Sequence, residues 1–133
     1  MLGSVAKVTA RKVLVVDDEE DIAAVLQDRL ESYGFEVATA GTGLEALRKV
    51  SEEKFQGIFM DVKLPELDGM SALQEIRKRD REIPIIILTA FSNRELAVEA
   101  VARGANDYVL KPFDMAELKM KVQKAYHITL GPP

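Results

Sequence analysis

The sequence predicts an α/β domain built on a parallel sheet, because two kinds of segment alternate regularly along the chain. Apolar runs of strand length occupy residues 13–16, 57–60, 85–88 and 108–110, and segments of helical periodicity separate them. Strands that alternate with helices favour a parallel sheet joined by crossover helices. Since these runs are continuously apolar, helices should cover the sheet on both faces.

The composition indicates one globular domain and narrows the partners that we expect. Apolar residues make up 47% of the 133 residues and charged residues 30%, which allows a buried core beneath a charged surface. The net charge of −4 gives no reason to expect direct binding to nucleic acid or to a membrane. There is no cysteine, and the single histidine, His127, argues against a histidine-based metal site. No run reaches transmembrane length and no signal peptide is recognisable, so we expect a cytoplasmic location.

The domain boundaries follow from the same pattern. We expect residues 11–128 to form the domain, residues 1–10 to be a disordered N-terminus or a cloning remnant, and residues 129–133 to be a C-terminal tail or the start of a linker. The sequence leaves open whether the domain stands alone or belongs to a longer protein.

The first helix and the second strand follow the acids that end the first strand. Apolar side chains recur at helical spacing, at Ile22, Leu26, Leu30 and Tyr33. Gly34 follows them and suits the left-handed residue that commonly ends a helix. Residues 36–40 then form the most polar of the predicted strands, which indicates an edge of the sheet.

The second and third helices flank the third predicted strand. Thr42 and Glu45 form a capping box that starts the second helix. Its apolar face is predicted to hold Leu44, Leu47 and Val50. Pro65 and Gly69 mark a loop after the strand that ends at Asp61. The apolar face of the third helix is predicted to hold Met70, Leu73 and Ile76.

The last two helices have recognisable ends. Pro84 opens the fourth strand, and Gly104 closes the fourth helix. Two further capping boxes are predicted to start these helices, Ser92 with Glu95 and Asp114 with Glu117. The fifth helix then extends to about Tyr126.

Polar residues stand at the ends of four predicted strands. Asp17 and Asp18 follow the first strand, Asp61 ends the third, Thr89 the fourth and Lys111 the fifth. The carboxyl ends of parallel strands meet at one edge of a sheet, so these side chains should converge there. Carboxylates in one pocket repel one another unless a cation intervenes, and hard oxygen ligands favour Mg²⁺ or Mn²⁺. An Asp pair after a strand also fits simple N-capping of the next helix.

The same residues fit covalent phosphoryl chemistry. A metal-bound carboxylate can act as a nucleophile and form an aspartyl phosphate. Transfer requires neutralisation of the phosphoryl oxygens, which the metal, the Lys111 ammonium and the Thr89 hydroxyl would provide if Asp61 is the acceptor. Taken singly, Thr89 also fits an ordinary strand residue, and Lys111 fits a solvated strand end.

Four short motifs appear in order along the chain. They are VVDDE at residues 15–19, MDVKLPELDG at 60–69, LTA at 88–90 and GANDYVLKPF at 104–113. Together they resemble the response-regulator receiver domain of two-component signalling, over about residues 11–127. The resemblance implies a flavodoxin-like, doubly wound (βα)5 fold with strand order 2-1-3-4-5, an order known for this family and therefore not independent of the resemblance.

The resemblance implies a role for each matching position in the acidic pocket. Asp61 is implied as the phosphoacceptor. Asp18, Asp61 and the backbone carbonyl of Lys63 are implied as ligands of Mg²⁺, for which Mn²⁺ can substitute, and Asp17 is implied to act largely through ordered water.

The resemblance also implies a conformational switch. Thr89 is implied as the hydroxyl that moves toward the phosphoryl group, Lys111 as the phosphate-binding cation, and Tyr108 as the aromatic residue that turns between exposed and buried rotamers. Tyr108 alone would also fit an ordinary half-buried strand tyrosine. The Lys111–Pro112 bond is implied to be cis, which an X-Pro bond permits at little cost.

The expected function is a signalling switch that catalyses only its own phosphotransfer and dephosphorylation. The resemblance implies a sensor histidine kinase or a phosphotransfer protein as donor, and an effector domain, an effector protein or a phosphorylation-dependent homodimer as output. In relatives, the positions of Lys63 and Phe91 flank the path of the hydrolytic water. We therefore predict that these two side chains slow dephosphorylation.

Three other functions share part of this pattern. A haloacid-dehalogenase-like phosphatase also uses Asp, Thr and Lys with Mg²⁺, but it needs a second Asp where this chain has Lys63. A flavodoxin-like cofactor binder needs a phosphate-binding loop after the first strand, where Asp17, Asp18 and Glu19 would repel a phosphate. A non-phosphorylated pseudo-receiver, used only as an interaction module, would normally lack one of the acids, Thr89 or Lys111.

Overall fold

The structure of the protein is a computed structural model that describes residues 11–130. Residues 1–10 and 131–133 lie outside the described residues, and so do the predictions for the N-terminus and for the end of the tail. Within residues 11–130, no helix combines the length and the apolar character needed to cross a membrane.

Five parallel strands form one sheet in the order β2-β1-β3-β4-β5. The strands are β1 Lys12–Val16, β2 Glu36–Ala40, β3 Gly57–Asp61, β4 Ile85–Ala90 and β5 Asp107–Lys111. The helices are α1 Glu20–Ser32, α2 Gly43–Glu52, α3 Gly69–Arg79, α4 Arg94–Ala102 and α5 Met115–Tyr126. The predicted fold class and strand order are confirmed, and the polar strand β2 lies at an edge as predicted.

Helices cover both faces of the sheet, which the continuous apolar strands predict. Alternate residues of a strand point to opposite faces. Leu14 and Val16 therefore join a core formed with α2, α3 and α4, whereas Val13 and Val15 join a core formed with α1 and α5. Because all strands run in one direction, the helices begin at the edge where the strands end, called here the carboxyl edge, and finish at the opposite, amino edge.

Most predicted helix ends are confirmed. Gly34 and Gly104 have left-handed φ angles of +98° and +124° where α1 and α4 finish. The Thr42 hydroxyl accepts the Glu45 N–H at 3.0 Å, and the Asp114 carboxylate accepts the N–H groups at the start of α5. A further cap, from Asp68 to the Ser71 N–H at 2.8 Å, starts α3 and was not predicted.

Two local predictions are wrong. Ser92 does not cap the fourth helix, because residues 91–93 form a 3-10 turn and α4 begins at Arg94 without a side-chain cap. Leu44 is 53% exposed, since the first turn of α2 presents the small residues Gly43 and Ala46 to the core instead. A Cβ at Gly43 would collide with the backbone of the β3–α3 loop, so this turn lies too close to the loop for a larger residue.

Candidate functional site

Two acids and a hydroxyl are buried at the carboxyl edge. Asp17 continues the line of β1, and its backbone N–H donates to the Ala40 carbonyl of β2 at 3.0 Å. Asp61 ends β3 and pairs in register with Leu88, one residue before Thr89 of β4. Asp17, Asp61 and Thr89 are 3%, 5% and 0% exposed. The sheet thus withholds two carboxyl groups and one hydroxyl from bulk water.

Lys111 joins these side chains from the end of β5. Its ammonium lies 2.5 Å from Asp17 Oδ2, 2.8 Å from Asp61 Oδ2 and 3.1 Å from Glu19 Oε1. The peptide bond between Lys111 and Pro112 is cis. One cation is therefore shared among three carboxylates, and the four side chains together carry an excess of negative charge.

Burial and ion pairing shift the pKa values of Asp17 and Lys111. Burial raises the pKa of Asp17, although the nearby Lys111 ammonium and a hydrogen bond from the Glu19 backbone N–H oppose this. Burial by itself would lower the pKa of Lys111, but its bonds to Asp17, Asp61 and Glu19 outweigh this and the pKa is raised. Lys111 is therefore charged at neutral pH, and a bound cation would favour the ionised form of Asp17.

Two buried oxygens at the site lack a hydrogen-bond partner in the part of the chain that the structure describes. One is the Thr89 hydroxyl. The other is Asp17 Oδ2, which meets Lys111 as an ion pair without the directional geometry of a hydrogen bond. A buried polar atom without a partner costs about 1–3 kcal/mol, so each such atom in a native structure calls for an explanation.

The donor set suits a hard divalent cation. One carboxylate oxygen from each of Asp17, Glu19 and Asp61 lies within 4.8 Å of the other two. Negatively charged sets of oxygen ligands favour Mg²⁺ or Mn²⁺ over softer metals. Asp17 Oδ2 is buried and has no hydrogen-bond partner within residues 11–130, so the residues present fit such an ion.

The structure does not bring every predicted residue into this group. The Asp18 side chain is exposed and lies outside the cluster of carboxylates formed by Asp17, Glu19 and Asp61. Glu19 lies inside this cluster, although it was not predicted as a site residue. Residues 17–21 are all acidic, so the sequence signals a site here without telling which of them turn inward. The Lys63 side chain is exposed, and its backbone N–H donates to Asp61 Oδ1 at 3.0 Å. Phe91 is 71% exposed.

The loop after Asp61 packs against the backbone of Asp61 itself. The Gly69 N–H donates to the Val62 carbonyl at 2.9 Å. A Cβ at Gly69 would collide with the Asp61 carbonyl, so only glycine permits this close approach. The loop between β3 and α3 therefore packs directly against the backbone of Asp61, the predicted phosphoacceptor.

Tyr108 is half-buried on β5 and is held by Lys121 of α5. The Lys121 ammonium lies 4.8 Å from the centre of the Tyr108 ring and donates to the Tyr108 carbonyl. It also pairs with the Asp107 carboxylate at 3.4 Å. The aromatic ring is thus tied to α5.

The chain is similar in sequence to a known protein family and to curated regulatory proteins. The family model for the response regulator receiver domain matches residues 13–123. The transcriptional regulatory protein PrrA of Mycobacterium tuberculosis is 43% identical over 116 residues, which are 87% of this chain and 50% of PrrA. The transcriptional regulatory protein ZraR of Escherichia coli K12 is 42% identical over 113 residues, which are 85% of this chain and 26% of ZraR. The chain thus spans at most half the length of these curated relatives.

The fold is also similar to that of solved receiver domains. The receiver domain of NtrX from Brucella abortus superposes with a TM-score of 0.82 at 34% identity, covering 88% of this chain and 99% of that one. The receiver domain of the sensor histidine kinase PA1611 from Pseudomonas aeruginosa superposes with a TM-score of 0.80 at 36% identity, covering 90% of this chain and 99% of that one. The PA1611 structure has a magnesium ion coordinated in its active site cleft.

Proposed function

This chain belongs to the response regulator receiver domain family, and we propose that it is a switch controlled by phosphorylation of Asp61. The proposal is based on the two donors that surround the Asp61 carboxylate, the Lys111 ammonium and the Thr89 hydroxyl. Asp61 ends a buried strand 2.8 Å from the Lys111 ammonium. Thr89, on the neighbouring strand, has a buried hydroxyl with no hydrogen-bond partner in residues 11–130. A phosphoryl group on Asp61 would supply acceptors for both donors.

The residues of the pocket match the needs of phosphoryl transfer. An Asp61 oxygen forms a bond to phosphorus while the bond from phosphorus to the leaving group of the donor breaks. Lys111 neutralises one phosphoryl oxygen, and Thr89 donates to another. When bound, Mg²⁺ would neutralise further charge. Asp17 and Asp61 would hold it, together with Asp18 and the Lys63 carbonyl, which the family resemblance adds.

The same geometry suggests how the signal leaves the site. Thr89 is followed by Ala90, by the 3-10 turn at residues 91–93 and then by α4. Movement of Thr89 toward a phosphoryl group therefore pulls on the start of a helix that has no side-chain cap. We propose that the surface formed by α4, β5 and α5 changes in consequence, with Tyr108 turning between two rotamers.

The partners that we propose follow from the family. A sensor histidine kinase or a phosphotransfer protein would donate the phosphoryl group. An effector domain, an effector protein or a second copy of the chain would read the altered surface. Direct binding of nucleic acid is not part of the proposal, because the net charge is −4.

The lifetime of the phosphoryl group is a further part of the proposal. Exposed Lys63 and Phe91 stand two residues after Asp61 and two residues after Thr89. Both side chains are proposed to shield the acyl phosphate from water. Replacing both with small polar residues should shorten the lifetime of the adduct, and an unchanged lifetime would show that they have no shielding role.

Intact-mass spectrometry tests the acceptor directly. The protein is incubated with Mg²⁺ and acetyl phosphate, with and without EDTA, beside the variants Asp61→Asn and Asp28→Asn. Asp28 is an exposed residue of α1 and provides a matched loss of one carboxylate. We expect one phosphoryl adduct on the wild type and on Asp28→Asn, and none on Asp61→Asn or in EDTA.

Other outcomes of this experiment would contradict either the choice of Asp61 as acceptor or the proposed function itself. An adduct that persists on Asp61→Asn would place the acceptor elsewhere. A folded wild type that takes no adduct from acetyl phosphate or from a histidine kinase would favour a pseudo-receiver that works only by constitutive binding. Steady release of inorganic phosphate from added phosphomonoesters would favour a phosphatase.

A further inference from the structure

Four consecutive acids follow Asp17, but only Glu19 turns into the site. Asp18 and Glu20 are exposed and lie outside the cluster of carboxylate oxygens. Glu19 lies inside it, with Oε1 3.1 Å from the Lys111 ammonium. Its backbone N–H donates to Asp17 Oδ1 at 2.9 Å, which turns the chain at the start of α1 back over the carboxyl edge.

Lys111 has as many carboxylate neighbours as it has protons to donate. An ammonium group carries three N–H donors. Asp17, Asp61 and Glu19 all lie within 3.1 Å of it. Before the transfer, while Asp61 is still a carboxylate, an incoming phosphoryl oxygen can therefore gain the full interaction with Lys111 only if one of these carboxylates gives up its place.

The three carboxylates differ in what it costs to release them. The side chains of Asp17 and Asp61 are 0% and 8% exposed, so breaking either ion pair before the transfer would leave a buried charge without its partner. The Glu19 side chain is 61% exposed, and an exposed carboxylate loses little when its ion pair breaks. Glu19 is therefore the partner that Lys111 can exchange at low cost.

We propose that Glu19 is a positioning residue that passes from Lys111 to the divalent cation. Without the cation its carboxylate holds Lys111. With the cation bound, the Glu19 carboxylate turns toward it, directly or through a water molecule, and leaves Lys111 free for the phosphoryl group. The inference rests on the proposed function. The buried Asp17 Oδ2, which is ion-paired with Lys111 but has no hydrogen-bond partner among residues 11–130, provides a second oxygen for the same ion.

A simpler role for Glu19 makes a different prediction. An acid at the start of a helix interacts favourably with the helix dipole, and Glu20 and Asp21 share that position on α1. If the dipole were the whole role of Glu19, then Glu19→Gln and Glu20→Gln would have the same effect on the protein. The two substitutions remove the same charge from adjacent residues, so each is a matched control for the other.

Binding of Mn²⁺ alone provides the first test, because it needs no phosphotransfer. The signal of free Mn²⁺ in electron paramagnetic resonance is followed for the wild type, Glu19→Gln, Glu20→Gln and Asp18→Asn. Loss of a carboxylate that supports a metal typically weakens metal binding about 10–100-fold. We expect Glu19→Gln to weaken Mn²⁺ binding about tenfold, and Glu20→Gln to leave it within about twofold. Equal effects of these two substitutions would overturn the proposal, whereas Asp18→Asn measures the role that the resemblance assigns to Asp18.

The dependence of phosphorylation on metal concentration provides the second test. If Glu19 acts through the cation, Glu19→Gln should raise the Mg²⁺ concentration that gives half-maximal phosphorylation and leave the rate at saturating Mg²⁺ within about threefold. A lower plateau with an unchanged half-maximal concentration would contradict the exchange.

The two proposals fail in distinguishable ways. If the wild type takes no phosphoryl group but Glu19→Gln still weakens Mn²⁺ binding, the proposed function fails and the link from Glu19 to the metal stands. If the wild type is phosphorylated and Glu19→Gln behaves like Glu20→Gln, only the role of Glu19 fails. Circular dichroism of each variant shows that it is folded, which the exposure of all three side chains favours.

Discussion

The two edges of the sheet differ in how well their polar groups are paired. At the amino edge, the Arg77 guanidinium donates to the Gly104 carbonyl at 2.8 Å, to the Asp80 carbonyl at 3.0 Å and to Asn106 Oδ1 at 3.1 Å. Asn106 Oδ1 also accepts the Ile85 N–H at 2.8 Å. One side chain thus joins the end of α3 to the α4–β5 loop and, through Asn106, to the start of β4.

At the carboxyl edge, by contrast, two buried oxygens lack hydrogen-bond partners among the described residues. There the Thr89 hydroxyl and Asp17 Oδ2 are buried and have no hydrogen-bond partner within residues 11–130, and the Lys111 ammonium contacts three carboxylates. The helix that starts beside Thr89, α4, has no side-chain cap and leaves Leu96 and Val98 exposed. Its buried residues are the small Ala97 and Ala100.

Under the proposed function, we expect the amino edge to contribute stability and the carboxyl edge to respond to the phosphoryl group. A site that receives a cation and a phosphoryl group must hold donors and acceptors that are unpaired beforehand, and this lowers stability. The paired contacts lie at the other edge. Helix α4 lies between the two regions, because Gly104, two residues after its end, accepts a hydrogen bond from Arg77, and its start follows Thr89 by way of the 3-10 turn. We therefore expect α4 to move at its start while its end stays in place.

The largest effect that we predict is at the amino edge. Arg77→Met keeps an apolar stem but removes the guanidinium, so the Gly104 carbonyl and Asn106 lose a charged donor. Hydrogen bonds to charged groups contribute about 1.5–3 kcal/mol, and partial exposure reduces this. We expect the free energy of unfolding, measured with urea, to fall by about 2 kcal/mol.

Arg79→Met is the matched control for this prediction. Arg79 is exposed two residues further along α3, and the change should alter the free energy of unfolding by less than about 0.5 kcal/mol. If Arg77→Met costs no more than Arg79→Met, then the amino edge is not the stable region that the comparison describes.

This contrast explains which features could be predicted from the sequence. The strands end at polar residues, and parallel strands bring their ends together, so Asp17, Asp61, Thr89 and Lys111 could be placed at one edge before the structure was known. That step needs only the order of elements. The continuous apolar runs predicted in the same way that both faces of the sheet are covered.

Features that depend on the direction of a single side chain could not be predicted. Helical spacing predicts a face but not its exact phase, and so Leu44 was predicted on the apolar face of α2, whereas Ala46 is the buried residue of that turn. The inward turn of Glu19 depends on a backbone hydrogen bond to Asp17. Ser92 matches a capping pattern, yet the 3-10 turn after Thr89 starts α4 later. These misses concentrate at the carboxyl edge, where function competes with local preference.

The next prediction concerns the unpaired hydroxyl at the carboxyl edge. Thr89→Val replaces a buried hydroxyl that has no partner in residues 11–130 with a methyl group of similar size. In the absence of metal, we expect the free energy of unfolding to rise by about 1 kcal/mol. The variant should still take a phosphoryl group on Asp61, more slowly, because one donor to the phosphoryl oxygens is lost.

Thr42→Val is the same substitution at a paired hydroxyl. The Thr42 hydroxyl caps α2 through the Glu45 N–H, so its loss should lower the free energy of unfolding by about 1 kcal/mol. The comparison therefore predicts effects of opposite sign in urea titrations of the two variants. A loss of stability in both would mean that the Thr89 hydroxyl is paired in solution.

The smallest predicted effect tests whether unpaired groups are confined to the functional edge. Tyr126, at the end of α5, has a buried hydroxyl that lies against Gly57 and has no hydrogen-bond partner among residues 11–130. No function is proposed for it. Tyr126→Phe should therefore raise the free energy of unfolding at neutral pH, by about 0.5 kcal/mol.

The pH dependence of this variant separates a buried hydroxyl from a hydrated one. Burial raises the pKa of Tyr126, and the charge of Arg11 opposes this only in part. The unfolded chain releases the tyrosine proton near pH 10, whereas the folded protein retains it to higher pH, so stability falls as the pH rises above about 10. Phenylalanine has no such proton, and the advantage of Tyr126→Phe in urea titrations should grow between pH 8 and pH 11. An advantage that is the same at both pH values would mean that water reaches the Tyr126 hydroxyl, and unpaired buried hydroxyls would then be confined to the carboxyl edge.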